Sequence, residues 1–487
     1  MVAGAQAMLA TLWRGLGGAD GDLARVTITG DRALPSPFAV TDLAAASIGA
    51  AGLAVSELIA TTGAPAPPLT VDRTMASGWF RLPVGPSERV AGPPKTVHAT
   101  PWMTEFATAD GRWLRLQATF PTLRRRVAEA LGVAPTPEAF AEVIRGGTAD
   151  AVEAQLIAAG AAVAANRSIA EWRAHPQGQA VAQEPIRHFD ERAPLASPER
   201  GWSPDPARPL AGIRVLDMTR VIAGPIATRF LASCGAEVLR LDVPGSDESS
   251  GMMGQGSDLM LGKRWAFLDL RAPGGRDRFL ELVAKADVLV HGYRPGSLEA
   301  LGIHRAMLDE ARPDLVEVRL NAYGWTGPWR DRRGFDTLVQ FSTGICDATS
   351  AWALEDPQHR LPLMVLGHAM DASRPRHLPV EAIDFGTAYQ LAAAALRGLT
   401  HRVQTGRGSI AHLSLAKTAQ ILIDTGFVAA QAPITLPLDG PYDPLIRASP
   451  RGAVRQLAQP VAIQGCPLFW ERPYEAAGAS APVWSVE

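Results

Sequence analysis

The stretch RVLDMTRVIAGPIATRFLASCGAEVLRLD, residues 214–242, reads as strand, loop, helix and strand. A strand that turns directly into a helix brings its carboxyl end and the first helical N–H groups to one spot, an arrangement that suits an anionic ligand. The loop Thr219–Pro225 holds a single glycine, Gly224, and the chain has no G-x-x-x-x-G-K-[ST] segment, so NAD, FAD and P-loop nucleotides are not expected. Ala223-Gly224-Pro225 opens a helix with proline where its missing N–H costs little. The small residues let a ligand approach the backbone; a plain tight turn fits the same spacing. Two aspartates, Asp384 and Asp42, each precede an Ala-rich helix, with Thr-Gly following 21 and 20 residues later. A carboxylate there sits at the positive end of the helix dipole and is expected to stay ionised. As a plain helix cap it is worth about 1 kcal/mol.

Strands are predicted at Val215–Asp217, Ala236–Asp242, Arg264–Leu270, Asp287–Gly292 and Asp314–Gly324, with helices at Gly224–Cys234 and Gly274–Ala286 between them. Alternation of this kind implies parallel pairing with right-handed crossovers. The fold class is α/β: a Rossmann-like parallel sheet in a large domain, a smaller α+β domain and long connecting helices. Residues 210–430 form the large domain and carry the helix that starts near Asp384. Residues 98–187 form the small domain, with a strand and helix in 110–132 and further helices across 137–165. Residues 1–97 read as a partial copy of the helical region of the large domain, an echo resting on Ala-rich composition. Residues 188–209 read as a Pro-rich linker, and 431–487 as a Pro-rich tail that wraps over the surface or is partly irregular.

Lys and Arg number 47 against 49 Asp and Glu, for a net charge of -2, which gives no electrostatic reason to expect nucleic acid or an anionic membrane. Cys234, Cys346 and Cys466 are far apart and odd in number, against a disulfide framework or thiolate zinc site, and no H-E-x-x-H occurs; no metal is expected. No apolar run is read as long enough to span a membrane, and the N-terminus lacks a basic segment ahead of its apolar part. A cytoplasmic location is expected.

Five ordered stretches across about residues 208–420 carry a resemblance: LAGIRVLDMTRVIAGPIATRFLASCGAEVLRLDVPG, GKRWAFLDLRAPGGR, ADVLVHGYRPGSLEALGI, YGWTGPWRDRRGFD and AIDFGTAYQLAAAALRGLTHRVQTGRGSIAHLSLAKTA. Together they resemble the family III CoA-transferases, the CaiB/BaiF group that includes formyl-CoA and carnitine-type enzymes. The resemblance implies transfer of CoA between an acyl-CoA and a small carboxylic acid, with the CoA thioester as substrate and no permanently bound cofactor. It implies Asp384 as the nucleophile, forming an aspartyl anhydride and then an aspartyl-CoA thioester. It places Thr219, Val221, Ala223 and Gly224 along the pantetheine, and Lys263, Arg264, Arg294 and Arg333 near the CoA phosphates. Tyr293 is a candidate for packing on adenine. It also implies an interlocked homodimer.

Departures stand out. The opening loop has Ile222 where a relative is polar, and the glycine-rich flap over the catalytic aspartate has no obvious counterpart. Phe335 stands where related racemases carry histidine, which argues against racemisation. The first 200 residues are similar to the later part of a family chain, so Asp42 reads as a cap or a vestige. Substrate selection is expected in several segments, the Gln340–Leu366 insertion among them. A CoA-thioester-binding partner or scaffold without transferase activity, and a lyase or racemase of the same fold, are the alternatives.

Overall fold

The computed structural model of the 487-residue chain describes residues 2–81, 87–91, 101–102, 104–192, 202–247, 258–355, 374–434, 438, 440–449 and 452–485. Its centre is a seven-stranded sheet. The order across it is Lys263–Phe267, Glu237–Asp242, Arg214–Met218, Val288–His291, Val316–Asn321, Ser409–Ser414 and His188–Glu191. The first six strands are parallel and the last is antiparallel. The inner strands are buried on both faces, which is why Val288–His291 is apolar at three successive positions rather than alternating. The parallel part of the sheet begins at Arg214–Met218, adds two strands on one side, then moves to Val288–His291 on the other. That reversal of direction is a topological switch point, where doubly wound sheets open a crevice at the carboxyl ends of the strands.

His188–Glu191 lies in the segment expected to be linker. It pairs with Ser409–His412 and closes the sheet edge. The expected linker residues 193–201 and the insertion residues 356–366 lie outside the described residues. In the small domain, Glu105–Ala107, Trp113–Leu116 and Val163–Ala165 form an antiparallel sheet. Helices Pro121–Leu131, Pro137–Arg145 and Ala149–Ala158 cover it and enclose Phe106, Leu114, Phe140, Ile144 and Leu156. The helical reading of 137–165 therefore ends early. The chain turns at Gly160 (φ 73°) and enters the strand.

The helix Val40–Ala60 is long and apolar enough, by length and composition, to cross a membrane, which corrects the reading of the sequence on that point. It is buried in the core, beside the helix Ala382–Thr405. The two run side by side with their starts together: a side chain on Gly386 would meet Leu43, and Arg397 donates to Glu57 at 3.0 Å further along. Small residues (Ala44–Ala46 on one helix, Ala392–Ala395 on the other) fill both interiors, so apolarity here reflects burial against protein. The tail also forms strands, Tyr442–Ser449, Gly452–Leu457 and Val461–Ile463. Its end packs onto the large sheet, where the Ser480 N–H donates to the Trp265 carbonyl at 3.0 Å and the Trp484 indole to the Leu282 carbonyl at 3.0 Å.

Candidate active site

The switch point brings two of the sequence-predicted segments together. Thr219–Pro225 leaves the end of Arg214–Met218, and Gly292–Gly296 leaves the end of the adjacent Val288–His291. The Arg220 guanidinium lies 5.9 Å from the Tyr293 ring centroid, bridging the two loops. Tyr293 is half-buried against the His291 ring, and Arg294 is exposed, donating to the Asp331 carbonyl at 3.3 Å. Arg333 is half-buried in the following stretch. Its neighbour Arg332 is buried and reaches the small domain, donating to Glu153 at 2.7 Å and to the Val163 carbonyl at 2.5 Å.

Beneath the first loop is a closed polar network. Asp217 is fully buried and accepts from the Thr219 N–H (2.9 Å), the Thr219 and Thr228 hydroxyls (both 2.5 Å) and the Lys263 ammonium (3.0 Å). Lys263 also donates to the Pro225 carbonyl at 2.6 Å. Burial alone would lift the Asp217 carboxyl, but the charges of Lys263 and Arg240 outweigh it and hold the group below its ordinary value. Burial pulls the Lys263 ammonium down to about 8 against the attraction of Asp217. Lys263 has no exposed surface, so it is a strut under the loop rather than a contact for CoA phosphates. Arg264 is likewise committed: it donates to Glu237 at 2.9 Å and to the Val483 carbonyl at 2.6 Å, clamping the C-terminal segment.

The strut has a visible consequence above it. Val221 has φ 67°, the one non-glycine residue with positive φ among the described residues. A β-branched side chain in that region is a genuine outlier, and such strain persists only where surrounding contacts over-determine the backbone. Ala223 and Gly224 start the buried helix Ala223–Ser233. A side chain on Gly224 would meet the Thr219 Cβ at 2.2 Å, so the glycine is required by the loop's own packing.

Asp384 sits in the first turn of Ala382–Thr405, buried, as the sequence places it. Its ionisation differs from the expectation. Asp336 accepts the Asp384 N–H at 2.8 Å, and Glu381 lies one turn back, at the N-cap. Burial pushes Asp336 up to about 6 in spite of donors from Asp384, Gln340 and Ile383. Burial and then the Asp336 charge push Glu381 up to about 8. Burial, Asp336 and Glu381 together hold the Asp384 carboxyl well above the ordinary value. A helix terminus contributes roughly 0.3–1 kcal/mol to one carboxylate. It does not offset burial of three acids together, so Asp384 gives up its proton less readily than an ordinary aspartate.

The small domain closes on this acid group. Phe120 stacks on Phe335 at 5.8 Å, and the Arg167 N–H donates to the Phe341 carbonyl at 3.1 Å. Glu105 accepts from Arg115 and lies 3.2 Å from the His377 imidazole. Asp42, the other candidate, is buried in the first turn of Val40–Ala60 and ion-paired to Arg73, with Nε at 3.0 Å. Asp217, Asp336, Glu381 and Arg73 were not singled out from the sequence. The only local signals were the Gly-Phe-Asp run at 334–336 and the i, i+3 spacing of Glu381 and Asp384.

Residues 210–466, just over half the chain, match the model of CoA-transferase family III. The chain belongs to that family. Among curated family III relatives, a probable fatty acyl-CoA transferase of Mycobacterium tuberculosis is 30% identical, over 44% of this chain and 52% of that protein. An acetyl-coenzyme A transferase of Hypoxylon pulicicidum is 33% identical over 44% of this chain and 35% of its own, and the human succinyl-CoA:glutarate CoA-transferase 30% over 41% and 44%. The chain spans about half the length of the curated relatives it matches. Among solved structures, the M. tuberculosis protein aligns at TM-score 0.35 with 30% identity, over 44% of this chain and 57% of that one. A CAIB/BAIF family protein of Brucella suis aligns at 0.36 with 22% identity, over 51% and 65%.

Proposed function

We propose that this family III chain moves CoA from an acyl-CoA thioester to a carboxylic acid, with Asp384 as the transient acyl acceptor. The ionised Asp384 carboxylate attacks the thioester carbonyl. The C–S bond breaks, CoA thiolate leaves, and a mixed aspartyl anhydride remains. The thiolate then attacks the aspartyl carbonyl, which releases the donor acid and gives an aspartyl-CoA thioester. The acceptor carboxylate attacks that thioester and the thiolate returns to the new acyl group, restoring Asp384. Each step conserves an activated acyl bond, so one difficult exchange becomes several easier ones.

The observation that carries the reading is the position of Asp384: a buried carboxyl at a helix N-terminus, on the carboxyl side of the sheet and beside Asp336 and Glu381. The Thr219–Pro225 loop, held by Lys263, offers backbone N–H groups for the thioester oxygen. Tyr293 and Arg294, on the loop that follows Val288–His291, and the half-buried Arg333 are the remaining candidates for the nucleotide end of CoA. A carboxylate made more basic by burial beside two other acids is a stronger nucleophile in its ionised form.

Incubation with a panel of acyl-CoA thioesters and hydroxylamine tests the reading. A hydroxamate at Asp384, together with loss of CoA exchange in Asp384→Asn, is the expected result. CoA binding without an adduct would instead identify a thioester-binding partner subunit. Interconversion of acyl-CoA stereoisomers by the Asn variant would identify a racemase.

A further inference from the structure

Residues 37–79 repeat residues 379–421 in structure as well as in outline. Pro37 and Pro379, Asp42 and Asp384, and Asp72 and Ser414 are each 342 positions apart. Each helix begins after a residue of nearly identical backbone shape: Ala39 at φ -73°, ψ 50° and Glu381 at φ -73°, ψ 60°. In each, the N–H of the next residue donates back across a tight turn, Val40 to Phe38 at 2.8 Å and Ala382 to Val380 at 2.7 Å. Each aspartate occupies the third helical position. Each helix then leads to a strand that lies parallel to the strand preceding the helix: Leu69–Asp72 beside Val26–Thr29, and Ser409–Ser414 beside Val316–Asn321. Each strand ends in a residue that caps the next helix through its side chain, Asp72 accepting the Met75 N–H and Ser414 the Lys417 N–H.

The backbones agree, but the surroundings of the two carboxyls are opposite. At the first position of the following helix, Arg73 stands where the second copy has Leu415. Arg73 is fully buried, with its guanidinium on Asp42, the Gly30 carbonyl (3.1 Å) and Gln431 (3.2 Å). At the N-cap, Ala39 stands where the second copy has Glu381. One aspartate faces a fixed cation, and its twin faces two acids.

We propose that Asp42 is a disarmed twin of Asp384: a second acyl-acceptor position turned into an ion-pair strut by Arg73, leaving one reactive carboxylate per chain. A carboxylate held by a guanidinium has its lone pairs occupied, and attack on a thioester would strand a buried arginine without its counter-charge. The reactive half of this inference rests on the function proposed above. The strut half stands on the Asp42–Arg73 geometry alone.

The experiment has two readouts. Thermal unfolding compares wild type with Asp42→Ala, Arg73→Leu and the double variant. Each single change strands one buried charge and is expected to lower the melting temperature by roughly 3–5 °C. The double change removes both charges and is expected to recover at least half of the larger loss. Additive losses would overturn the strut. The second readout is peptide mapping after acyl-CoA and hydroxylamine treatment. Modification at Asp384 and none at Asp42 is expected, with activity kept in the double variant. Modification at Asp42 in the wild type would overturn the proposal, as would loss of turnover in a double variant that melts near wild type. If neither aspartate is modified, the acyl-transfer reading has failed, and the unfolding cycle still decides whether Arg73 holds Asp42 as a strut.

Discussion

Replacing Lys263 with methionine tests whether the loop at the switch point is held from below. Lys263 and Asp217 are both fully buried, 3.0 Å apart, and the ammonium also ties down the Pro225 carbonyl at 2.6 Å. Breaking one side of a buried pair costs about 3–5 kcal/mol, because the other charge is left in a medium that solvates it poorly. Asp217 keeps the Thr219 and Thr228 hydroxyls and one N–H after the change. The cost is therefore expected at the lower end, about 3 kcal/mol, out of a total stability of roughly 5–15 kcal/mol. Adding Asp217→Asn removes the stranded charge, and the double variant is expected to regain about 1–2 kcal/mol of the loss. Urea unfolding followed by circular dichroism measures both. A second consequence is local: without the strut, Val221 has less to hold it at φ 67°, and the affinity for CoA is expected to weaken before the fold is lost. A single variant that costs under about 1 kcal/mol, or a double variant less stable than the single, would refute the reasoning.

Glu381→Gln should show the raised carboxyl as a pH effect. A folded-state value of about 8 means that the native chain binds this proton more tightly than the unfolded chain, so wild-type stability falls as pH rises from the ordinary carboxylate range through about 8. The Gln variant lacks that loss and is expected to gain on wild type across the same window, by on the order of 4–5 kcal/mol at its upper end; a pH-independent difference would contradict the assignment. Gly224→Ala places a methyl against the Thr219 Cβ and is expected to cost about 1–3 kcal/mol. The additional change Thr219→Ser leaves that Cβ in place and is expected to recover little in the same unfolding assay.

What the sequence showed and what it concealed follow from the range of the interactions. The parallel strands were legible because burial on both faces makes Val288–His291 and its neighbours nearly continuous apolar runs. His188–Glu191 was not, because an edge strand with polar residues looks like the linker that follows it. Asp384 was placed correctly at its helix start, since the Ala-rich pattern fixes where the helix begins. The upward push on its carboxyl was not legible, because Asp336 is 48 positions away in sequence and meets it only in the fold. Lys263 was read as a candidate for the CoA phosphates because lysine is almost never fully buried without a partner, and Asp217, its partner, lies two strands away across the sheet. The apolar Val40–Ala60 helix shows the same limit: composition reports that a helix is surrounded by apolar matter, and only the tertiary contacts say by what.

The acid group at Asp384 is also wired to the small domain, and one histidine reports on that connection. Asp336 accepts from both Asp384 and the Gln340 amide, and the Gln340 carbonyl accepts the Leu378 N–H at 2.8 Å. The buried His377 next along lies between Cys346 Sγ, 3.4 Å from its Nδ1, and the small domain's Glu105, 3.2 Å from its Nε2. Burial alone would raise the Glu105 carboxyl, but the Arg115 charge and the hydrogen bond from His377 outweigh it and lower the group to about 2, so it is an acceptor throughout the physiological range. Burial lowers the imidazole below its ordinary value despite that carboxylate. A neutral ring has one proton, and only Nε2 faces a group unable to donate. The proton therefore sits on Nε2, and Nδ1 accepts from the Cys346 thiol. Nitrogen-15 NMR of labelled histidine is expected to show a neutral Nε2–H ring from pH 6.5 to 8. Release of the small domain would free His377 to titrate near 6.5, so an ordinary midpoint in the intact chain would show that the contact between Glu105 and the Asp384 region is not made in solution.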